Sequence, residues 1–475
     1  MKRAFSWVLV ITFLLSVCVA SSTVEAVTYQ DSGVDRPTYV ITADYDENED
    51  RVRGHYSLTL PQRFQKEKEL YFHLYPNAFR DWKWGSDAKP KKAGYLKVST
   101  VKVNGKKVKT EEKGTLLKVI NESTKALPQV KVEMEYELKI PQGGTRLNTV
   151  DGTAFLAQWY PMLAVKDKQG WHTDEYTTTG DPFFSEISDF AVTFTLPKGY
   201  SVITTANDRS AENPRNKVKV KQERVRDFAA MISKDYEVIT GKSGQTEVNL
   251  WYLKGMEHVS QTLHDTAVCS MDYFSQTFGT YPYEEVDVIL GETGLGIAGM
   301  EYPGLVTSIP ELPTKDGKKA AHSVVAHELA HQWWYGVVGN DQVHEPWLDE
   351  GITTFSEFLF MKEKMNEDER QLLQRAAERT EDIHDKIGIT SVEPVDKYPD
   401  PIYGLMVYIR PAAMMWSLAD EIGMKKVKKI LHTYYDQYQF KTASTEDFIR
   451  VASEVAGKDL NAFFAEWLYF EEQGV

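Results

Sequence analysis

Only two cysteines occur in the 475 residues, and one of them, Cys18, lies in an apolar N-terminal run. Cys269 is then left alone in the remainder, which excludes an internal disulfide framework and leaves packing and bound metal to stabilise the fold. Cys269 itself falls in an apolar helical pattern and reads as a small buried hydrophobe. Basic residues are also outnumbered: 55 Lys and Arg face 69 Asp and Glu, a formal net charge of -14. Phosphate binding needs clustered cations, so nucleic acid is excluded as a partner. Internal repeats and low-complexity tracts are missing as well. Hydrophobic content of 42% and charged content of 26% are those of an ordinary folded chain. At this length two to four domains are expected.

Lys2 and Arg3 precede a charge-free stretch of 17 residues from Ala4 to Ala20, and Ser21, Ser22 and Thr23 follow. A basic start, an apolar stretch and small residues at a cut point are the layout of an export signal. Residues 1–26 are therefore expected to be a signal peptide or an uncleaved N-terminal anchor. That places the protein outside the cytoplasm, secreted or held on the outer face of the cell membrane.

Residues 27–247 read as a β domain. Apolar and polar residues alternate in Val98–Val103, Val130–Ile140 and Phe190–Leu196, and Asn104-Gly105 marks a hairpin. The polar, basic stretch Asn207–Arg226 reads as a surface loop or hairpin. The period changes near Met256. Val259, Leu263, Ala267, Met271, Phe274 and Phe278 follow helical spacing and stop before Gly279. A strand at Val286–Leu290 follows, then helices over Ala320–Tyr335 and Pro346–Lys364, and a capping box at Ser444–Asp447 opens the last helical stretch. Residues 248–475 thus form a second, mostly helical domain, and the fold class is α+β.

The chemistry concentrates in His327-Glu328-Leu329-Ala330-His331. Residues four apart stack on one helix face, so both imidazoles reach one ion, and Glu328 points to the adjacent side where a water would sit. A carboxylate there can take the proton of a water that zinc has acidified. A catalytic zinc takes three protein ligands and keeps one position open. Glu350, in Trp347-Leu348-Asp349-Glu350-Gly351, supplies the third ligand at the start of the next helix; His322 and His344 are its competitors. Glu357, two turns beyond Glu350, is placed to hydrogen-bond a ligating histidine or else to be a plain solvated charge. Gly294-x-Gly296-x-x-Gly299 matches a dinucleotide fingerprint, but Pro303 disfavours the helix that the fingerprint requires, so no nucleotide cofactor is expected.

His-Glu-x-x-His with eighteen residues before Glu350, in a Trp-Leu-Asp-Glu-Gly setting, resembles the gluzincin peptidases of the M1 aminopeptidase family. Gly299-Met300-Glu301 is similar to that family's substrate motif, and Val407-Tyr408-Ile409-Arg410 to the segment bearing its catalytic tyrosine. Gln158-Trp159-Tyr160-Pro161 and Gly170-Trp171-His172 resemble the β domain of its bacterial members. The resemblance implies a β-sandwich or saddle domain packed on a thermolysin-like zinc peptidase domain, with one Zn2+ per chain and peptides as substrates. It implies that Glu301 binds the substrate's free α-amine, that the backbone at Gly299 and Met300 pairs with the peptide, and that Tyr408 donates to the oxyanion. Tyr403 takes that role if the alignment slips. Tyr302 stands where the family has Asn, and the long C-terminal helical domain of larger members is missing, which implies a short form with a more open site. Removal of N-terminal residues is the expected reaction; an open-cleft endopeptidase and an inactive, peptidase-like binding protein are the alternatives.

Overall fold

Period-two alternation shapes the first half of the chain. In Thr38–Asp46, Tyr39, Ile41, Ala43 and Tyr45 face inward while Val40, Thr42 and Asp44 face solvent. The same logic buries Val130, Val132, Met134, Tyr136 and Leu138 of Val130–Lys139. The structure, a computed structural model, describes residues 36–471 apart from 86–88, 122–128, 151, 208–215, 292–296 and 315–316. The expected export segment at 1–26 lies outside the described residues. No helix among the described residues is long and apolar enough to cross a membrane.

The strands Thr38–Asp46 and Val130–Lys139 belong to a seven-stranded sheet. Its pairs are antiparallel except for Thr38–Asp46 beside Ser188–Thr195, which is parallel. Two four-stranded sheets share its inner core, in which Tyr56, Phe72, Trp159, Phe194 and Phe228 are wholly buried. Each fully buried Phe or Leu contributes roughly 1.5–3 kcal/mol, so a core of this extent stabilises the domain without cross-links. Asn104 and Gly105 both take positive φ, 50° and 76°, as a tight hairpin turn requires. The stretch expected to be a surface loop or hairpin instead contains an edge strand, Lys217–Val225, with Val218 and Val220 inward and Lys217, Lys219 and Lys221 outward. Its lysines protect an exposed sheet edge.

The second half is built on a five-stranded sheet. Its strands are β1 (Tyr236–Ser243), β2 (Thr246–Leu253), β3 (Glu285–Leu290), β4 (Gly299–Met300) and β5 (Leu305–Ser308), in the order β1-β2-β3-β5-β4. The expected domain boundary at 247/248 falls inside β2. Strand β1, which that boundary leaves in the β domain, pairs with β2 into this sheet. Helix α1 (Glu257–Phe278) packs its stripe of Leu263, Ala267, Met271 and Phe274 into a core shared with α2 (His322–Ala330) and α3 (Trp347–Lys364). Helices α4 (Arg370–Ile387), α5 (Arg410–Ile422), α6 (Met424–Tyr438) and α7 (Thr445–Ala456) complete the domain, and the capping box at Ser444 and Asp447 is formed.

Arg226 ties the halves together. It is 3% exposed, and its guanidinium donates to the carbonyls of Ser185 (3.2 Å), Tyr335 (2.8 Å) and Lys441 (2.5 Å). Burial pushes its pKa down to about 10, so three carbonyl dipoles take the place of a counter-ion.

Candidate metal centre and active site

Helix α2 stops sooner than its apolar pattern suggests. After Ala330 the chain tightens into a wide turn over Gln332–Val337, where Trp334 and Tyr335 leave helical geometry. The turn lets both Trp333 and Trp334 enter the core and frees Gln332 to face the sheet. The Gln332 amide donates to the carbonyls of Glu301 (3.3 Å) and Tyr302 (3.1 Å), and its oxygen accepts from the backbone of Gly304 (2.8 Å). One residue thus joins the histidine helix to the segment after β4. Glutamine at that position has no spacing signal, and sequence reasoning missed it.

His327 and His331 project from one face of α2 toward Glu350 on α3. The two Nε2 atoms are 3.2 Å apart, and Glu350 Oε2 stands 3.4 Å from the first and 3.3 Å from the second. Three ligands on a tetrahedral zinc, each about 2.0–2.2 Å from it, stand roughly 3.3 Å apart. The protonation pattern agrees. His327 Nδ1 lies 3.0 Å from Glu357, and His331 Nδ1 lies 2.7 Å from Asp349. Each carboxylate accepts the Nδ1–H and leaves a bare lone pair on Nε2. Two lone pairs and a carboxylate oxygen converging at that spacing suit a divalent cation, and the donor set is one that zinc prefers.

Glu357 is the histidine partner that its spacing suggested, while Asp349 went unassigned although it adjoins Glu350. Gln342 donates to its other oxygen, and Thr353 Oγ1 lies 3.1 Å from His331 Nδ1. Asp349→Asn should weaken zinc binding about 10–100-fold, measured by competition with a chelator. Neither competing histidine reaches the centre: His322 bonds Thr266 and His344 bonds Asp341.

Glu328 is buried, and its carboxyl faces the cleft, pushed up to about 7 by burial while the two imidazoles draw it back. Gly299 of β4 makes room for it. A Cβ on residue 299 would stand 2.4 Å from Glu328 Oε1 and 2.6 Å from its Cγ and Cδ. Gly299→Ala therefore displaces the carboxylate, and a displacement of about 1 Å costs on the order of 100-fold in turnover. Steady-state rates with the zinc content checked would measure it. Among the described residues β4 pairs with β5 on one side only, which leaves its other edge open to an added strand. Gly294 and Gly296 lie outside the described residues; from Gly299 the chain runs as strand, not helix.

Carboxylate oxygens of Glu301 and Glu328 and a ring nitrogen of His331 lie within 4.8 Å of one another. Burial, then the neighbouring Asp181, raises the Glu301 pKa well above the usual range. Asp181 is held by Arg146 at 2.7 Å, and both come from loops of the β domain. Tyr408 donates to Glu350 Oε1 at 2.6 Å and stacks on His327, ring centroids 5.9 Å apart. Gly351 permits this approach: a Cβ there would meet Pro411 at 2.5 Å. The Tyr403 hydroxyl lies instead against Gly180. The whole lines a cleft of about 490 Å³ between the β domain and the helices.

Comparison with known proteins agrees with this geometry. Residues 263–467 match the family model described as the Peptidase family M1 domain. "Aminopeptidase M1-B" of Oryza sativa subsp. japonica is 26% identical over 238 residues, covering 47% of this chain and 27% of that protein. Glutamyl aminopeptidase of Homo sapiens is 28% identical over 228 residues, 44% of this chain and 23% of that protein. The chain thus spans about a quarter of the length of these relatives. In fold it is similar to the M1 zinc metallopeptidase of Deinococcus radiodurans, with a TM-score of 0.65 at 17% identity, covering 93% of this chain and 95% of the other. It is also similar to yeast LTA4 hydrolase in complex with bestatin, with a TM-score of 0.63 at 15% identity, covering 93% and 68%. Over residues 263–467, which contain the metal centre, this chain is thus similar to the Peptidase family M1 domain.

Proposed function

We propose that the protein is a zinc aminopeptidase that removes N-terminal residues from peptides. The observation that carries this reading is the buried Glu301 carboxylate beside Glu328 and His331, at one end of an open strand edge. A carboxyl buried next to Asp181 is relieved by a cationic partner, and the α-ammonium of a peptide is such a partner. In support, several relatives are named aminopeptidases, and a related Deinococcus radiodurans enzyme variant was solved bound to a Tyr-Ser-Ala substrate.

Bound by His327, His331 and Glu350, zinc would supply a Lewis acid that polarises the scissile carbonyl and acidifies water. The chain's own residues do the rest. Glu301 holds the substrate amine, and the free edge of Gly299–Met300 aligns the peptide backbone. Glu328 takes a proton from the attacking water and passes it to the leaving amine. Tyr408, released from Glu350, donates to the developing oxyanion.

The test is hydrolysis of matched free and N-acetylated peptides by zinc-loaded protein, with Glu301→Ala alongside. Free N-termini should be cleaved and acetylated ones refused, and Glu301→Ala should raise KM for free peptides by at least tenfold, about 1.4 kcal/mol of lost binding. Equal cleavage of both peptides would assign an endopeptidase instead.

A further inference from the structure

Away from the cleft, a second group of imidazoles and carboxylates crosses from the β domain to the helical domain. His172 and Asp174 precede Ser188–Thr195, while Asp341 and His344 lie in the connection between α2 and α3. Asp341 Oδ2 is 2.8 Å from His344 Nδ1 and 3.3 Å from His172 Nδ1. Asp174 Oδ1 is 3.5 Å from His344 Nε2, and donor atoms of His172, Asp174 and His344 lie within 4.8 Å of one another.

These groups are held in place. The other oxygen of Asp341 accepts from the backbone N–H groups of Val343 (3.1 Å) and His344 (3.2 Å). His172 Nε2 stands 3.0 Å from Asp167. On His344 the arrangement repeats the catalytic centre: Asp341 on Nδ1 leaves Nε2 as a lone pair. That lone pair then faces a carboxylate oxygen of Asp174. Two acceptors at that distance repel unless a proton or a metal ion lies between them. Asp167, Asp174 and Asp341 bring three negative charges to two imidazoles, and nearby Lys83 is already paired with Glu175.

We propose that His172, Asp174 and His344 form a second divalent-cation site that fastens the β domain to the connection leading into α3, with Asp341 on Nδ1 of His344 orienting that ring. Two imidazole nitrogens and a carboxylate oxygen suit zinc or a similar borderline cation. The ion lies apart from the catalytic centre but bears on it. Gln342, next to Asp341, donates to the Asp349 that orients His331.

The test counts bound zinc after equilibrium dialysis of the full chain against zinc chloride at pH 8, together with thermal midpoints. Two zinc ions per chain are expected in the unmodified protein, and one in His344→Ala, whose half-exposed side chain can be removed without opening the core. Added zinc should raise the midpoint of the unmodified protein and not that of His344→Ala, and Asp174→Asn should weaken the second ion. Peptide hydrolysis in His344→Ala should persist, which separates this site from the catalytic reading. One zinc in the unmodified protein, or two in His344→Ala, overturns the proposal. So does a midpoint that follows pH but not zinc, since the cluster would then be a chain of imidazolium–carboxylate pairs.

Discussion

Replacing Glu328 with glutamine is expected to lower kcat about 10²–10⁴-fold while zinc stays bound. Glutamine keeps the length and shape of the side chain, so it still fits against Gly299. What it loses is the capacity to accept a proton from water and return it to the leaving amine. Glu328 suits that exchange because burial holds its pKa up at about 7, where a carboxyl both takes and gives a proton near neutrality. It ligates no metal in this arrangement, so the zinc content should equal that of the unmodified protein. Metal analysis and kcat on one preparation make the comparison. Undiminished turnover in a zinc-loaded variant would remove Glu328 from the mechanism.

Tyr408→Phe should lower kcat by about 10²–10³, the usual cost of one missing donor to an oxyanion, with KM little changed. The phenyl ring can keep its stacking on His327, so packing and the metal set should survive. Burial, reinforced by the charge of Glu350, lifts the Tyr408 pKa well above its usual value and keeps the hydroxyl protonated. It is therefore a donor throughout, first to Glu350 and then to the oxygen that gains charge in the transition state. A larger effect on KM than on kcat would mean that Tyr408 holds the ground-state substrate instead. Tyr403→Phe is the control, because that hydroxyl faces Gly180 and not Glu350.

Most of the centre was legible because its parts are local in sequence. Two histidines one helical turn apart and a glutamate at the head of the next helix need only helical geometry to converge. Glu357 followed from the same periodicity. Gln332, Asp349 and Arg146 were not legible, since each acts through a contact that chain folding brings about. Gln332 depends on a turn that breaks α2, and the twin tryptophans that force the turn read equally well as a continuous helix. The boundary inside β2 fails for a related reason. Alternation identifies a strand, but the sheet it joins is decided by pairing with β3, each residue of which lies 38 positions after its partner in β2. Arg226 reads as a surface cation and proves to be buried among carbonyls that three distant segments supply.

The grip of Gln332 on the carbonyls of Glu301 and Tyr302 has a consequence for the product. Because Gln332 directly follows His331, the carboxylate proposed to hold the substrate amine and the histidine proposed to hold the metal share one rigid frame. The gap between them acts as a ruler, and a ruler that cannot lengthen measures the same stretch of backbone on every substrate. Peptides of any length would then be shortened by a constant increment, whichever side chain comes first.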